Sequence, residues 1–247
     1  MIPKIIHYCW FGDKPLPLSA LECIDSWKRY FPNYTIKEWN EENFDVSIIP
    51  YTRDAYQDKK YAFVSDFARF WILYHNGGIY FDTDVEVIKP FTEVLKKGPF
   101  MGLESDATLH KSVAVAPGLG IAAEAKMEVY REILDRFQEL SYFSESGNRN
   151  GYTMIPMITE LFLKSGLKGN STIEHIRGIN IYPKEYFNPM DSSTGIIQIT
   201  DKTLSIHKYD SSWIDHHTLR FQLHLLKNKI NNLLGYKIVS SLHRLFR

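Results

Sequence analysis

A chain of 247 residues, 44% apolar and 23% charged, is long enough for one large domain with a substantial core and has the composition of a soluble globular protein. Its 29 basic and 29 acidic residues balance to zero, so no global field points to a nucleic-acid partner. Cys9 and Cys23 supply neither a disulfide framework nor a zinc site, and the opening MIPKIIHYCW is too short and interrupted for a signal peptide or a membrane span; a cytoplasmic location is expected.

In chain order, IPKIIHYCWFG reads as a strand ending at Gly12, followed by a Pro-rich loop. From Ser19 to Phe31 the residues Leu21, Ile24, Trp27 and Phe31 recur at helical spacing, and Pro32 stops the helix. YTIKEW alternates as a strand. Tyr61 to His75 predicts a helix with a broad apolar face, ended by Gly77 and Gly78, and GIYFD a short buried strand after it. Ala122 to Leu140 and Met154 to Lys164 predict two further helices, and GIIQIT with TLSIHKY a late hairpin. Strands alternating with helices imply an α/β domain with a mostly parallel central sheet. Aromatics make up 14% of the chain, which suits a stacking or sugar-binding cleft and an aromatic core equally well.

A catalytic domain is expected over residues 1–214 and a separate helical tail over 215–247. From His216 to the end there is no acidic residue, while Leu223, Leu226, Ile230, Leu233 and Leu234 fall on one helical stripe. Two readings stand: a basic amphipathic tail lying on an anionic inner leaflet, or a helix packed on the domain with a solvated basic face.

The chemistry concentrates in NGGIYFDTDVEV. Asp82 and Asp84 are two positions apart, so extended backbone would project both carboxylates from one side, just past the carboxyl end of a strand. Such hard oxygen ligands suit Mn2+ or Mg2+ bridged to a diphosphate; the alternative is a solvated acidic turn. Ahead of them, SDFAR places Ser65, Asp66 and Arg69 on one helical face. Arg69 offers a rigid charged fork and Asp66 an acceptor for hydroxyls, against the alternative of an ordinary surface ion pair.

The run AFVSDFARFWILYHNGGIYFDTDVEVIKP, with IPKIIHYCWFG before it, resembles glycosyltransferase family 32, the DXD-containing sugar transferases that include capsule and lipopolysaccharide enzymes and are distant kin of the large glucosylating toxins. The resemblance covers roughly the first ninety residues. It implies a GT-A-like fold, a nucleotide-sugar donor (a UDP-sugar, or GDP-mannose in the alternative) and Mn2+ or Mg2+. By position, Asp82 would contact the ribose or sugar and approach the metal, and Asp84 would ligate it. Asp66 and Arg69 would hold donor-sugar hydroxyls, with Ser65 and Tyr80 lining the pocket, and Trp10 would stack on the nucleobase, unless it is a core tryptophan. SIHKYDSSW resembles the loop that closes over the diphosphate. His207 would then ligate metal or contact phosphate, unless it is structural, and Ser211, Ser212 and Trp213 would cover the donor.

The expected function is therefore metal-dependent, configuration-retaining hexosyl transfer to a glycan acceptor, with a lipid-linked oligosaccharide suggested by the tail. GYTMIP departs from the Thr-Gly-Pro stretch of many relatives, and APGLGIAA lacks the spacing of a phosphate loop and reads as a strand-to-helix connection near the acceptor cleft. Two rivals are a non-catalytic sugar-nucleotide or glycan-binding protein and a HAD-type phosphatase. The phosphatase is disfavoured because its D-x-D loop would follow the first strand.

Overall fold

The computed structural model describes residues 1–107, 112–150, 154–190 and 196–209. In chain order the regular elements are β1 (Ile5–Cys9), α1 (Leu18–Tyr30), β2 (Thr35–Trp39), α2 (Pro50–Gln57), α3 (Tyr61–Asn76), β3 (Gly78–Tyr80), β4 (Val85–Val87), α4 (Thr92–Lys96) and β5 (Phe100–Ser105). There follow β6 (Ala114–Val115), β7 (Ile121–Ala123), α5 (Glu128–Gln138), α6 (Met154–Lys164), β8 (Glu174–Ile176), β9 (Ile179–Tyr182) and β10 (Ser205–His207).

The main sheet runs β2-β1-β3-β7-β5-β9-β8, with β6 added to β5. β2, β1 and β3 pair in parallel, as do β5 and β9, while β7 lies antiparallel between β3 and β5. Strands β2, β1, β3, β5 and β9 thus share one direction, so the α/β class and the mostly parallel central sheet expected from the sequence are what is observed.

Side chains alternate across this sheet with the two-residue period of extended backbone. Ile79 and Phe81 face one core and Tyr80 the other; Phe100 and Met101 divide in the same way. On one face α3, α5 and α6 pack through Phe67, Phe70, Ile133, Phe137, Ile158 and Phe162. On the other, α1 and α4 cover a cluster in which Phe31, Phe81, Phe91, Phe100 and Phe187 meet ring to ring at centroid separations of 5.2 to 6.1 Å. Much of the aromatic content is therefore core.

Several elements differ from their sequence reading. Along α1 the buried stripe is Ala20, Cys23, Ile24 and Trp27, and Leu21 is exposed. The helix predicted from Ala122 begins only at Glu128, because Ala122 and Ala123 pair with β3 and Lys126 turns through a positive φ of 64°. Helical propensity gave way to the sheet edge that β3 offered. Among the described residues the late hairpin does not form either: β10 pairs antiparallel with β4. α2 and α4 carried too short a periodic signal to be read. The basic tail from 215 lies outside the described residues, and no helix of the described residues is long and apolar enough to cross a membrane.

Buried contacts on both sides position the segment that follows β3. Gly77 ends α3 at φ 65°, its N–H returning to Leu73. At Gly78, φ 101°, a Cβ would lie 2.7 Å from the Ile5 carbonyl oxygen and 2.9 Å from His7 Nε2, so only glycine allows β3 to enter beside β1. His7 in turn accepts from Trp39 Nε1 on Nδ1 (3.1 Å) and sits 3.0 Å from the Gly77 carbonyl through Nε2, which fixes its tautomer. Burial lowers its pKa to about 4, so it is a neutral structural bridge. Beyond the aspartates, β4 is tied to α1: Trp27 Nε1 donates to the Val85 carbonyl at 2.7 Å, and Ser26 Oγ accepts from the Val87 N–H at 2.9 Å.

Candidate functional site

Phe81, Asp82, Thr83 and Asp84 link β3 to β4, held at one end by α3 and β1 and at the other by α1 and β10. The link is a turn, closed by Val85 N–H to the Asp82 carbonyl at 3.1 Å, and not the extended backbone that the two-residue spacing suggested. The carboxylates nevertheless converge, and β10 brings a third ligand. One ligand atom each from Asp82, Asp84 and His207 lies within 4.8 Å of the others, all three side chains half-buried. His207 Nε2 is 3.2 Å from Asp84 Oδ1.

Arg69 stands behind this group, 3% exposed, and its Nη2 is 3.1 Å from both Asp66 Oδ1 and Asp82 Oδ1. The Tyr80 hydroxyl donates to Asp82 Oδ1 at 3.1 Å, and the guanidinium lies over the Tyr80 ring at 5.2 Å. Arg69 Nε donates to the Ser65 carbonyl, and Nη1 is 3.5 Å from Met154 Sδ. The SDFAR spacing thus does what one helical face permits, and a buried two-carboxylate fork replaces the ordinary surface pair. Burial works against the Arg69 charge, but Asp82, Tyr80 and Asp66 more than restore it.

The remaining charges are out of balance. Three carboxylates face one guanidinium and one imidazole. Burial raises the Asp82 pKa, Arg69 opposes the shift and Asp84 adds to it. Burial disfavours the charged form of His207, yet the Asp84 charge and hydrogen bond, with Asp82 and Glu104, leave its pKa raised. Among the described residues His207 Nδ1 is buried without a hydrogen-bond partner. Two carboxylates and an imidazole within 4.8 Å of one another, about the span of one coordination shell and short of positive charge, fit a divalent cation of the Mn2+ type.

Asp66 has the most displaced carboxyl, pushed by burial up to about 6 against Arg69, with Asp82 adding to the rise. Between its ordinary 3.8 and 6 the folded chain binds more protons at this site than the unfolded chain. Asp66 therefore makes stability fall as pH rises through that window. Asp66→Asn should remove this slope and stabilise the metal-free chain by on the order of 2 kcal/mol at pH 7.5, with little gain at pH 4. Melting temperatures of both chains across that range check it; a difference that does not grow with pH would contradict it.

Ser65 is half-buried and its hydroxyl bonds back to the Tyr61 carbonyl at 3.2 Å. Trp10 follows β1 at the same sheet edge at which Asp82 follows β3; it is half-buried and its Nε1 is held by the Lys14 carbonyl at 2.7 Å. Ser211, Ser212 and Trp213 lie outside the described residues. Sequence reasoning missed Gly118. It sits in a 3-10 turn, Pro117–Leu119, between β6 and β7, and a Cβ there would run into Asp82 Oδ2. APGLGIAA is therefore no strand-to-helix connection; its close glycine was the available signal. Glu104, Asn188 and Tyr209, which meet behind His207, were also missed.

Residues 17–101 match the family model described as glycosyltransferase sugar-binding region containing DXD motif. That match takes in about a third of the chain. This region runs from the start of α1 into β5, and so contains Asp66, Arg69, Tyr80, Asp82 and Asp84 while leaving Trp10, Gly118 and His207 outside it. Over 111 residues the chain is 29% identical to inositol phosphoceramide mannosyltransferase 1 of Schizosaccharomyces pombe, covering 40% of this chain and 33% of that protein. The chain thus spans about a third of that relative's length. Among solved structures, PaToxG glycosyltransferase is 21% identical at a TM-score of 0.43, over 54% of this chain and 59% of that one. A glycosyltransferase involved in the glycosylation of the major capsid of PBCV-1 is 11% identical at a TM-score of 0.47, over 85% and 95% of the two chains. The matched residues 17–101 include the two aspartates and their buried arginine, and the histidine comes from outside them.

Proposed function

We propose that the chain is a metal-dependent, retaining glycosyltransferase that moves a hexosyl group from a nucleotide-sugar, a UDP-sugar in the first instance, to a hydroxyl of a glycan acceptor. The observation that carries this reading is the convergence of Asp82, Asp84 and His207 within 4.8 Å, directly beside the buried Asp66–Arg69–Asp82 fork. Asp82, Asp84 and His207 would hold Mn2+ or Mg2+, which when bound supplies positive charge to the departing diphosphate. Asp66 accepts hydrogen bonds from donor-sugar hydroxyls and Arg69 donates to them, so the sugar is oriented by groups that are already fixed. Tyr80 keeps Asp82 in place through its hydroxyl.

In the transfer, the bond from the anomeric carbon to the diphosphate oxygen breaks through an oxocarbenium-like state. A bond to the acceptor hydroxyl forms on the same face, and the acceptor proton passes to the departing phosphate oxygen. Trp10, at the mouth of the same edge, is the candidate base-stacking residue. The lipid-linked acceptor and an inner-leaflet location rest on the charge of the tail sequence alone. A mannose donor on GDP is the second donor reading, favoured by the match to a mannosyltransferase.

A panel of UDP- and GDP-sugars, each with Mn2+, tests donor and metal together. The correct donor at 100 times its Kd should stabilise the chain by about 2.7 kcal/mol, a rise of a few degrees in Tm, and the rise should vanish with EDTA. Slow release of free nucleotide without acceptor separates an enzyme from a binding protein. A panel in which no nucleotide-sugar raises Tm would overturn the proposal.

A further inference from the structure

Behind the His207 ring, three segments distant in sequence meet at one phenol oxygen. Tyr209, two residues past β10, donates from its hydroxyl to Glu104 Oε1 on β5 at 3.0 Å. Asn188, which follows the 3-10 turn Lys184–Tyr186, donates from Nδ2 to the Tyr209 hydroxyl at 2.7 Å and to the Glu104 carbonyl at 3.2 Å. The hydrogen bonds therefore run in one direction, amide to phenol to carboxylate. Asn188 is 1% exposed, and with its amide committed to these two acceptors its Oδ1 has no partner among the described residues. Both amide hydrogens of this buried side chain are thus spent on fixing the Tyr209 hydroxyl against β5.

Tyr209 also adopts a φ of 53°, a left-handed conformation that disfavours a bulky side chain. Its ring meets His207 edge to face, with centroids 4.3 Å apart and an interplanar angle of 78°. The intervening Lys208 N–H bonds to the Asp84 carbonyl at 2.9 Å, so the strained residue is fixed to the aspartate turn itself. Backbone strain, a part-buried hydrogen-bond chain and a ring set edge-on against a candidate ligand coincide here.

We propose that Tyr209, held by Glu104 and Asn188, is a positioning residue that fixes the His207 ring toward Asp82 and Asp84 and thereby sets the affinity of the site for its divalent cation. The proposal rests on the metal reading above and goes beyond it, because Glu104, Asn188 and Tyr209 act on the cation only through His207. Outer groups that orient a ligating histidine commonly change metal affinity by about 10- to 100-fold.

The test is Mn2+ binding to the full chain, followed by the electron paramagnetic resonance of free Mn2+ well below the melting temperature, with and without UDP. Tyr209→Phe, which keeps the ring and removes only the hydroxyl, should weaken Mn2+ about tenfold, and Asn188→Ala should do the same. In a His207→Ala background Tyr209→Phe should cause no further loss, because the route runs through the imidazole. Folded Tyr209→Phe with parental Mn2+ affinity would overturn the proposal even if its Tm falls, since a purely structural role predicts that pattern. An equal loss in the His207→Ala background would overturn it too. Should Asn188→Ala fail to fold, Glu104→Gln takes its place with the same expectation. A parent chain that binds no Mn2+ removes the metal reading itself, an outcome distinct from parental binding with unaffected variants.

Discussion

Asp84→Asn is expected to yield a folded chain whose sugar release and transfer fall by at least ~1,000-fold, the scale on which fixed charge at a leaving group acts. The substitution preserves the shape of the side chain and removes one of the two closely spaced charges. In the metal-free protein Asp84 repels the Asp82 carboxyl but also pairs with His207, so the two losses oppose each other and the variant's metal-free melting temperature should shift little. Its Tm should also stop responding to Mn2+. The informative quantity is thus a pair of melting curves and a turnover rate. Near-parental turnover by a folded Asp84→Asn chain would remove the cation from the proposed chemistry.

Gly118→Ala is expected to be nearly as damaging, although residue 118 has no functional group. A Cβ at this position meets Asp82 Oδ2 well inside contact distance and stands 3.6 Å from Arg69 Nη1. The backbone at Gly118 does not require a positive φ, so the obstacle is space and not conformation. To make room, Asp82 must rotate away from Arg69 and Tyr80, breaking two part-buried hydrogen bonds of 3.1 Å. A stability loss of about 1–3 kcal/mol follows from overpacking and from the groups left unpaired, with activity reduced by ~100-fold or more. A double-mutant cycle isolates the cause: once Asp82→Ala has removed the carboxylate, Gly118→Ala should cost little more. Additive losses would show that the glycine matters for another reason.

How legible the site was depended on where its parts lie in the chain. Asp66, Arg69, Tyr80, Asp82 and Asp84 fall within one short run on a helix, a strand and the turn after it; helical spacing correctly pairs Asp66 with Arg69, whereas the two aspartates converge across a turn and not along extended backbone. His207 joins them through the pairing of β10 with β4, a contact that hydrophobic alternation cannot specify, because alternation gives a strand its face and not its partner. The same gap explains the false hairpin. It explains the helix misread from Ala122 as well, where local propensity met a free edge of β3. Gly118 was visible only as one glycine among several. Its meaning is a distance of closest approach, which a linear reading does not contain.

The α1–β4 staple and the β10–β4 pairing have a consequence for how the protein comes into being. Trp27 and Ser26 hold β4 early in the chain, whereas the strand that delivers His207 arrives more than a hundred positions after Asp84. A chain emerging from its N-terminus can settle the carboxylate turn against α1 and α3 while its histidine is still unmade. Closing so wide a loop is an entropic cost met only when most of the sheet exists. A chain ending before β10 would thus keep the Asp66–Arg69 pair and both aspartates but lack the imidazole, so under the proposed metal reading full cation affinity would come only with the last strand.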